Sequence, residues 1–193
     1  MKTTSKTSNR EIALQTASNL FLSKGYLVTS MDDIVAASKV SKTNIYYYFK
    51  SKEEILSTII ERMTDQYEAL IAHIAAQTEL PVMERLTKLM QTLTLQDIDC
   101  LGGCPFLTLY TQTPMEATAI RKQISVFFNK QLTILEQLIT EGIARNEINS
   151  KLPPQPMASL ILSTIEGGLF LQHAQQDPTI LQQSLHALAS MLK

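Results

Sequence analysis

Four serine-led signals within residues 8–51 fix what the first part of this chain can become. Ser8 stands three residues before Glu11, Ser30 before Asp33 and Ser51 before Glu54, while Ser41 precedes Lys42-Thr43-Asn44. A serine hydroxyl accepts the backbone N–H three residues on, and a carboxylate at that place can accept the serine's own N–H, so each signal opens a helix. The spacing predicts a helix from Ser8 to Gly25, where glycine can take the positive φ that ends it. Two short helices follow, Ser30 to about Ser38 and Ser41 to about Phe49, and then a long one from Ser51 to about Gln77. No apolar–polar alternation of strand length competes with this pattern.

Farther along, Pro81 suits the first position of a helix to about Gln96. The segment DIDCLGGCP reads as a loop with glycine turns. Pro105 opens a short helix to about Gln112, and Pro114 a long one to about Asn146 whose apolar face carries Ile120, Ile124, Phe127, Leu135 and Leu138. Residues 151–156 read as a proline-rich connector. A helix from Met157 to Gln175 is apolar nearly all round, and Asp177 caps a last helix starting at Pro178. The polar start MKTTSKT is expected to fray.

The net charge of −1 argues against a generic nucleic-acid binder, yet the charge is unevenly spread. Residues 1–50 hold seven Lys/Arg against three Asp/Glu, and the remainder holds ten against fifteen. A basic head on an acidic body suggests that the head alone meets phosphate. Neither a secretory leader nor an apolar run near the ~18 residues of a membrane span is visible, so a cytoplasmic protein without membrane contact is expected. Two cysteines fit a reducing compartment.

The stretch Thr29–Glu54, TSMDDIVAASKVSKTNIYYYFKSKEE, sets two short helices around a tight turn, the geometry of a DNA-reading helix-turn-helix. Ile34, Val40, Ile45 and Phe49 supply an apolar wedge, and Ala36 and Ala37 are expected to let the helices approach closely. At about 100° per residue, Ile45, Tyr48 and Phe49 share the inner side of the second helix. Thr43 and Tyr47 fall opposite, with Asn44 and Tyr46 on the flanks. Lys42, Thr43 and Asn44, near the helix start at Ser41, are placed for base edges, and Tyr47 for phosphate. Thr29 and Ser30 at one helix start and Lys52 at another are candidate phosphate contacts.

These residues resemble the tetracycline-repressor (TetR) family. VSKTNIYYYFKSKEEIL looks like its V-S-x-G-x-[LI]-Y-x-[HY]-F-x-[SN]-K-E-x-L, and FLSKGYLVTSMDDIVAASKVS like its first two helices. Lys39 stands at a turn position where Gly is usual, Val35 where Ala is usual, Thr43 where Gly is usual and Tyr48 where His is common. The resemblance implies an all-α fold of about nine helices. A three-helix helix-turn-helix domain would span 1–50, and a helical bundle for ligand binding and dimerisation 51–193. It further implies a repressor that binds a palindromic double-stranded DNA operator as a homodimer and is released by a small, partly apolar molecule.

The body supplies matching parts. A helix apolar all round is central or at an interface. Leu162, Ile165, Leu169 and Phe170, with Leu185 and Leu188 of the last helix, are the expected dimer contacts, and Gly167 and Gly168 would permit close approach. Met90, Cys100, Cys104, Phe106, Tyr110, Phe127, Phe128 and Glu166 are candidates to line an effector pocket, with His73 as a further polar contact. Cys100 and Cys104 leave three readings: packing beside that pocket, a disulfide, or a thiol switch for oxidants or electrophiles. Two thiolates are too few for a structural zinc site, so neither metal nor cofactor is expected. A helical enzyme without DNA binding is the remaining alternative, but no nucleophile motif or glycine-rich phosphate loop supports it.

Overall fold

The computed structural model describes residues 7–94, 100–149 and 151–191. The polar start before Thr7, the expected helix end at Gln96 and Asp97–Asp99 of the expected loop lie outside the described residues. Among those residues there are nine α-helices and no strand.

Helix α1 spans Asn9–Leu20, with Ser8 Oγ accepting from the Glu11 N–H at 3.2 Å. The Glu11 carboxylate does not complete the capping box. It turns to Arg62 of the long fourth helix, 2.6 Å away. The chain also leaves the α pattern earlier than expected: a π-helical turn carries Phe21–Gly25, and Gly25 ends it at φ 112°.

Helix α2, Met31–Ser38, opens with both halves of its box in place. Asp33 N–H donates to Ser30 Oγ at 3.1 Å, and Ser30 N–H to Asp33 Oδ2 at 2.7 Å. Lys39 ends the helix in the left-handed region, φ 58° and ψ 16°. Helix α3, Lys42–Tyr48, is capped by Ser41, and α4, Lys52–Ala75, by Ser51. Glu54 reaches one residue farther back than a capping box requires, accepting the Lys50 N–H at 2.6 Å. Ile34, Val40, Ile45 and Phe49 are all buried, as the wedge requires. Ala36 and Ala37 are exposed, however. The inward positions of α2 are Ile34 and Ser38, so the alanines do not mediate the helix contact.

The body comprises α5 (Val82–Thr94), α6 (Pro105–Gln112), α7 (Thr118–Ala144), α8 (Pro154–Gln175) and α9 (Thr179–Met191). Helix α7 starts later than Pro114 suggested, because Pro114 to Ala117 form a turn closed by Ala117 N–H on Pro114 O at 3.1 Å. Helix α8 starts earlier. Pro154 and Pro156 sit in its first turn, where a missing N–H costs nothing, so the connector is shorter than predicted. Asp177 caps α9 as expected, its Oδ1 accepting from Thr179 N–H at 2.9 Å. Helix α8 packs against α7 on one side and α9 on the other, and α4 runs from the head into contact with α5 and α7. Arg85, only 1 % exposed, pins the bundle's far end by donating to Ala75 O and pairing with Glu141. No helix among the described residues is long and apolar enough to cross a membrane.

Candidate nucleic-acid interface and buried body cluster

Helix α3 has two unlike faces. Ile45 is fully buried, Tyr48 half-buried, and Phe49 just past the helix end is buried beneath the Arg10 guanidinium, 5.1 Å from its ring. Opposite them, Ser41, Lys42 and Thr43 are exposed, Asn44 is half-buried, and Tyr46 and Tyr47 are 39 % and 73 % exposed. Tyr47 keeps its outward pose by resting edge-on against Tyr48, ring centres 5.1 Å apart. The outer face is therefore a row of hydroxyls and an amide on a rigid three-helix head. Such groups can donate and accept at base edges and phosphates. Lys42 pairs with Asp32 of α2 at 2.7 Å, and this anion holds its ammonium above the usual lysine range.

Two of the nine expected contact residues are used by the fold itself. Thr29 is 2 % exposed and its hydroxyl donates to Gly25 O at 2.7 Å, so its side chain closes the turn rather than facing out. Lys52 donates to Tyr26 O at 2.8 Å and Thr29 O at 2.9 Å, and lies 4.2 Å from the Tyr26 ring centre. Burial lowers its pKa. Ser30 is exposed, with its hydroxyl already shared with Asp33. Three exposed cations were not among the expected contacts: Lys39 at the turn, Lys50 just past α3 and Lys24 in the π turn. The charge asymmetry counted them but could not place them.

In the body, Phe106 stacks on Phe127 at 3.8 Å, Phe128 stands 5.6 Å from Phe127, and Tyr67 of α4 meets both Phe106 and Phe127 edge-on at 5.4 and 5.8 Å. The thiol of Cys104, at the start of α6, neighbours the Glu166 carboxyl of α8. Burial and the neighbouring Glu166 push that thiol well up, and burial raises Glu166 as well. Tyr67 is pushed up by burial, with Cys104, Glu166 and Cys100 close enough to add to it. Phe106, Phe127, Phe128, Cys100, Cys104 and Glu166 thus lie around Tyr67 and one another. Tyr67 was missed, although it sits on the inward side of α4 with Ile60 and Ile71.

The Tyr110 ring is taken by the Arg121 guanidinium, 4.0 Å from its centre. His73 is exposed and bonded to Gln77 at 3.2 Å. Met90 is buried on α5 as part of the general core. A cleft of about 600 Å³ lies elsewhere, between α1 and α4, with Gln15, Asn19, Arg62 and Gln66 on its walls. It is half open, with Leu14, Leu22, Ile59 and Met63 lining it beside the polar groups.

The expected dimer residues also divide. Leu162, Ile165, Leu169 and Leu188 are 7 %, 0 %, 7 % and 4 % exposed within one chain, so they are core and not interface. Gly168 packs on Leu181, whereas a side chain at Gly167 would meet nothing. Leu185 is half-buried, and of the six only Phe170 is well exposed. The outward stripe of α8 is Leu160, Gly167, Phe170 and Leu171. A helix apolar all round gives no period by which to tell the two sides apart.

The head and body touch away from α4 as well. Leu101 N–H donates to Leu22 O at 3.1 Å, and α6 packs on the π turn, where a Cβ at Gly25 would collide with the Gln112 side chain.

Residues 13–59 match the family model for bacterial regulatory proteins of the tetR family, and 82–188 the model for the tetracyclin repressor-like C-terminal domain. The chain is 29 % identical over 181 residues to the uncharacterized HTH-type transcriptional regulator YxaF of Bacillus subtilis (strain 168), covering 92 % of each. It is 22 % identical to the HTH-type transcriptional repressor DhaR of Mycobacterium sp. (strain GP1), covering 93 % of this chain and 90 % of that one. Among solved structures, a TetR transcriptional regulator from Legionella pneumophila superposes over the whole of both chains with TM-score 0.78 and 27 % identity. The reduced form of E. coli NemR shares the fold, with TM-score 0.81 at 18 % identity over 96 % of this chain and 98 % of that one. With more than half of its length matched by the C-terminal model and the helix-turn-helix by the other, the chain belongs to the TetR family of bacterial transcriptional regulators.

Proposed function

We propose that this regulator is a repressor that binds a palindromic operator as a homodimer and lets go when a small, partly apolar molecule occupies its body. The observation that carries the reading is the outer face of α3: Thr43, Asn44, Tyr46 and Tyr47 stand outward above a buried Ile45 and Phe49. Two copies related by a two-fold axis would set these faces into successive major grooves, about 34–36 Å apart. Residues 1–50 are then the reading unit, and 51–193 the sensing and pairing unit. The outward stripe of α8 is the pairing surface.

Release is a population shift toward a body shape that spaces the two α3 helices wrongly. Two features support a short route for it: α4 of the body packs on α1 of the head, and the Leu101–Leu22 bond ties the cysteine loop to the head. A noncovalent effector fits better than a thiol switch. Cys104 is 5 % exposed and held as a neutral thiol, whereas reactive cysteines are accessible thiolates.

The test is fluorescence anisotropy with a labelled duplex from the gene's own upstream region. Tyr47→Ala is expected to weaken binding about tenfold or more with an unchanged circular dichroism spectrum, because so exposed a side chain contributes little to the fold. Wild-type affinity should fall steeply with salt. Undiminished binding by the variant, or affinity indifferent to salt, would defeat the reading.

A further inference from the structure

Among the described residues, five buried side-chain atoms lack a hydrogen-bond partner: Gln77 Oε1, Arg85 Nε, Thr108 Oγ1, Gln131 Oε1 and Glu166 Oε2. Glu166 faces Cys104 and Tyr67 at the ring cluster, Gln131 is on the ring-bearing helix α7, and Thr108 Oγ1 lies beside Gly102 in the adjoining loop. Glu166 neighbours the Cys104 thiol, and its Oε2 is buried without a hydrogen-bond partner. Thr108 lies one helical turn beyond Cys104, its N–H bonded to Cys104 O at 2.9 Å, and is 3 % exposed. Gln131, 4 % exposed, lies one turn beyond Phe127 on the buried face of α7 that also carries Ile124 and Leu135. A glutamine at an apolar register is conspicuous, because burying an amide without a partner is costly.

The chemistry of the three atoms agrees. The Glu166 and Gln131 oxygens accept hydrogen bonds, and the Thr108 hydroxyl can. Among the described residues no lysine or arginine is paired with Glu166, and nothing positive stabilises its carboxylate. The surrounding walls are aromatic rings in stacked and edge-on contact. Parting Phe106 from Phe127 around a flat guest would exchange one ring contact for two.

We propose that Tyr67, Phe106, Phe127, Phe128, Gln131 and Glu166 part to bind a planar apolar molecule bearing a strong N–H or O–H donor, an ammonium or a phenol, directed at Glu166. The inference rests on the effector reading above and gives that effector its chemical class. An anionic ligand is disfavoured by Glu166 and Gln131, since its oxygens would face their acceptor oxygens. A plain hydrocarbon would leave those acceptors unmatched.

The test uses the full-length protein and four compounds on one ring system: 2-naphthylmethylamine, 2-naphthol, 2-methylnaphthalene and 2-naphthoic acid. The chain has no tryptophan, so naphthyl emission reports binding against a low background. The amine and the naphthol are expected to bind at least about tenfold more tightly than methylnaphthalene, with naphthoate weakest. An advantage of amine over naphthol assigns the preference to charge, and parity assigns it to the donor alone. Glu166→Gln should abolish the amine's advantage over methylnaphthalene, and Gln131→Met should reduce the naphthol's. Should Glu166→Gln fail to fold, Gln131→Met and Thr108→Val carry the test. The proposal is overturned by equal affinity for methylnaphthalene and the two donors, by preference for naphthoate, by no binding of any compound at about 1 mM, or by unchanged discrimination in folded variants. Operator binding is measured separately without the compounds. Its loss strikes the regulator reading, while failed discrimination with operator binding intact strikes this one alone.

Discussion

Lys39 carries a backbone conformation that most side chains avoid. It ends α2 at φ 58°, and an L-residue there costs roughly 1–2 kcal/mol through its Cβ. Asn146 and Gln176 do the same after α7 and α8, at φ 58° and 53°. The strain at Lys39 places an exposed cation at the turn leading into α3. Lys39→Gly should therefore separate two effects. In urea unfolding the variant is expected to gain about 1 kcal/mol, once the greater freedom of glycine in the unfolded chain is set against the relieved strain. In operator binding it should lose modestly, with a salt dependence shallower by about one charge. A gain in stability with no change in salt slope would assign Lys39 to the turn alone. Lys52 shows the opposite arrangement, for its charge is spent inside on two carbonyls.

At the scale of elements, the cysteine loop at Gly103 fits closely against α8. Gly103 has φ 76°, and a Cβ there would fall 2.3 Å from Leu169 O of α8. A backbone oxygen cannot swing aside as a side chain can. Gly103→Ala should lower stability by about 2 kcal/mol or more, read as an earlier urea midpoint with an unchanged slope. The helix starts set by a capping side chain were readable in the sequence, because their causes are local. Ser30 with Asp33, Ser41, Ser51 and Asp177 each cap within three residues of themselves. Features with distant causes were not readable. The π turn abuts Gln112 from another helix, and Glu11 leaves its cap for Arg62. Sequence periodicity placed Tyr47 outward and Ile45 inward correctly, since α3 has one polar side. It could not sort Leu162 from Phe170 on a helix apolar all round, nor show that Thr29, a polar residue, is buried.

For the whole molecule, the outward stripe of α8 is the surface on which the proposed two-fold pairing depends. Phe170 is 49 % exposed, Leu171 43 % and Leu160 37 %, and Gly167 beside them leaves open room for a partner's backbone. A stable interface buries about 800 Å² per partner, which a charge at its middle opposes. Phe170→Asp is expected to run as a monomer at micromolar concentration in size exclusion with light scattering, with a preserved helical spectrum and much weaker operator binding. A variant that stays dimeric would move the pairing surface elsewhere. The contact between loop and head has a further consequence. If occupancy of the body disfavours the operator-bound shape through the Leu101–Leu22 bond and the Gly25–Gln112 contact, thermodynamic reciprocity makes the operator disfavour occupancy by the same factor. A copy seated on its promoter is then a duller sensor than one adrift in solution, and genes held silent answer only after the unattached pool has filled.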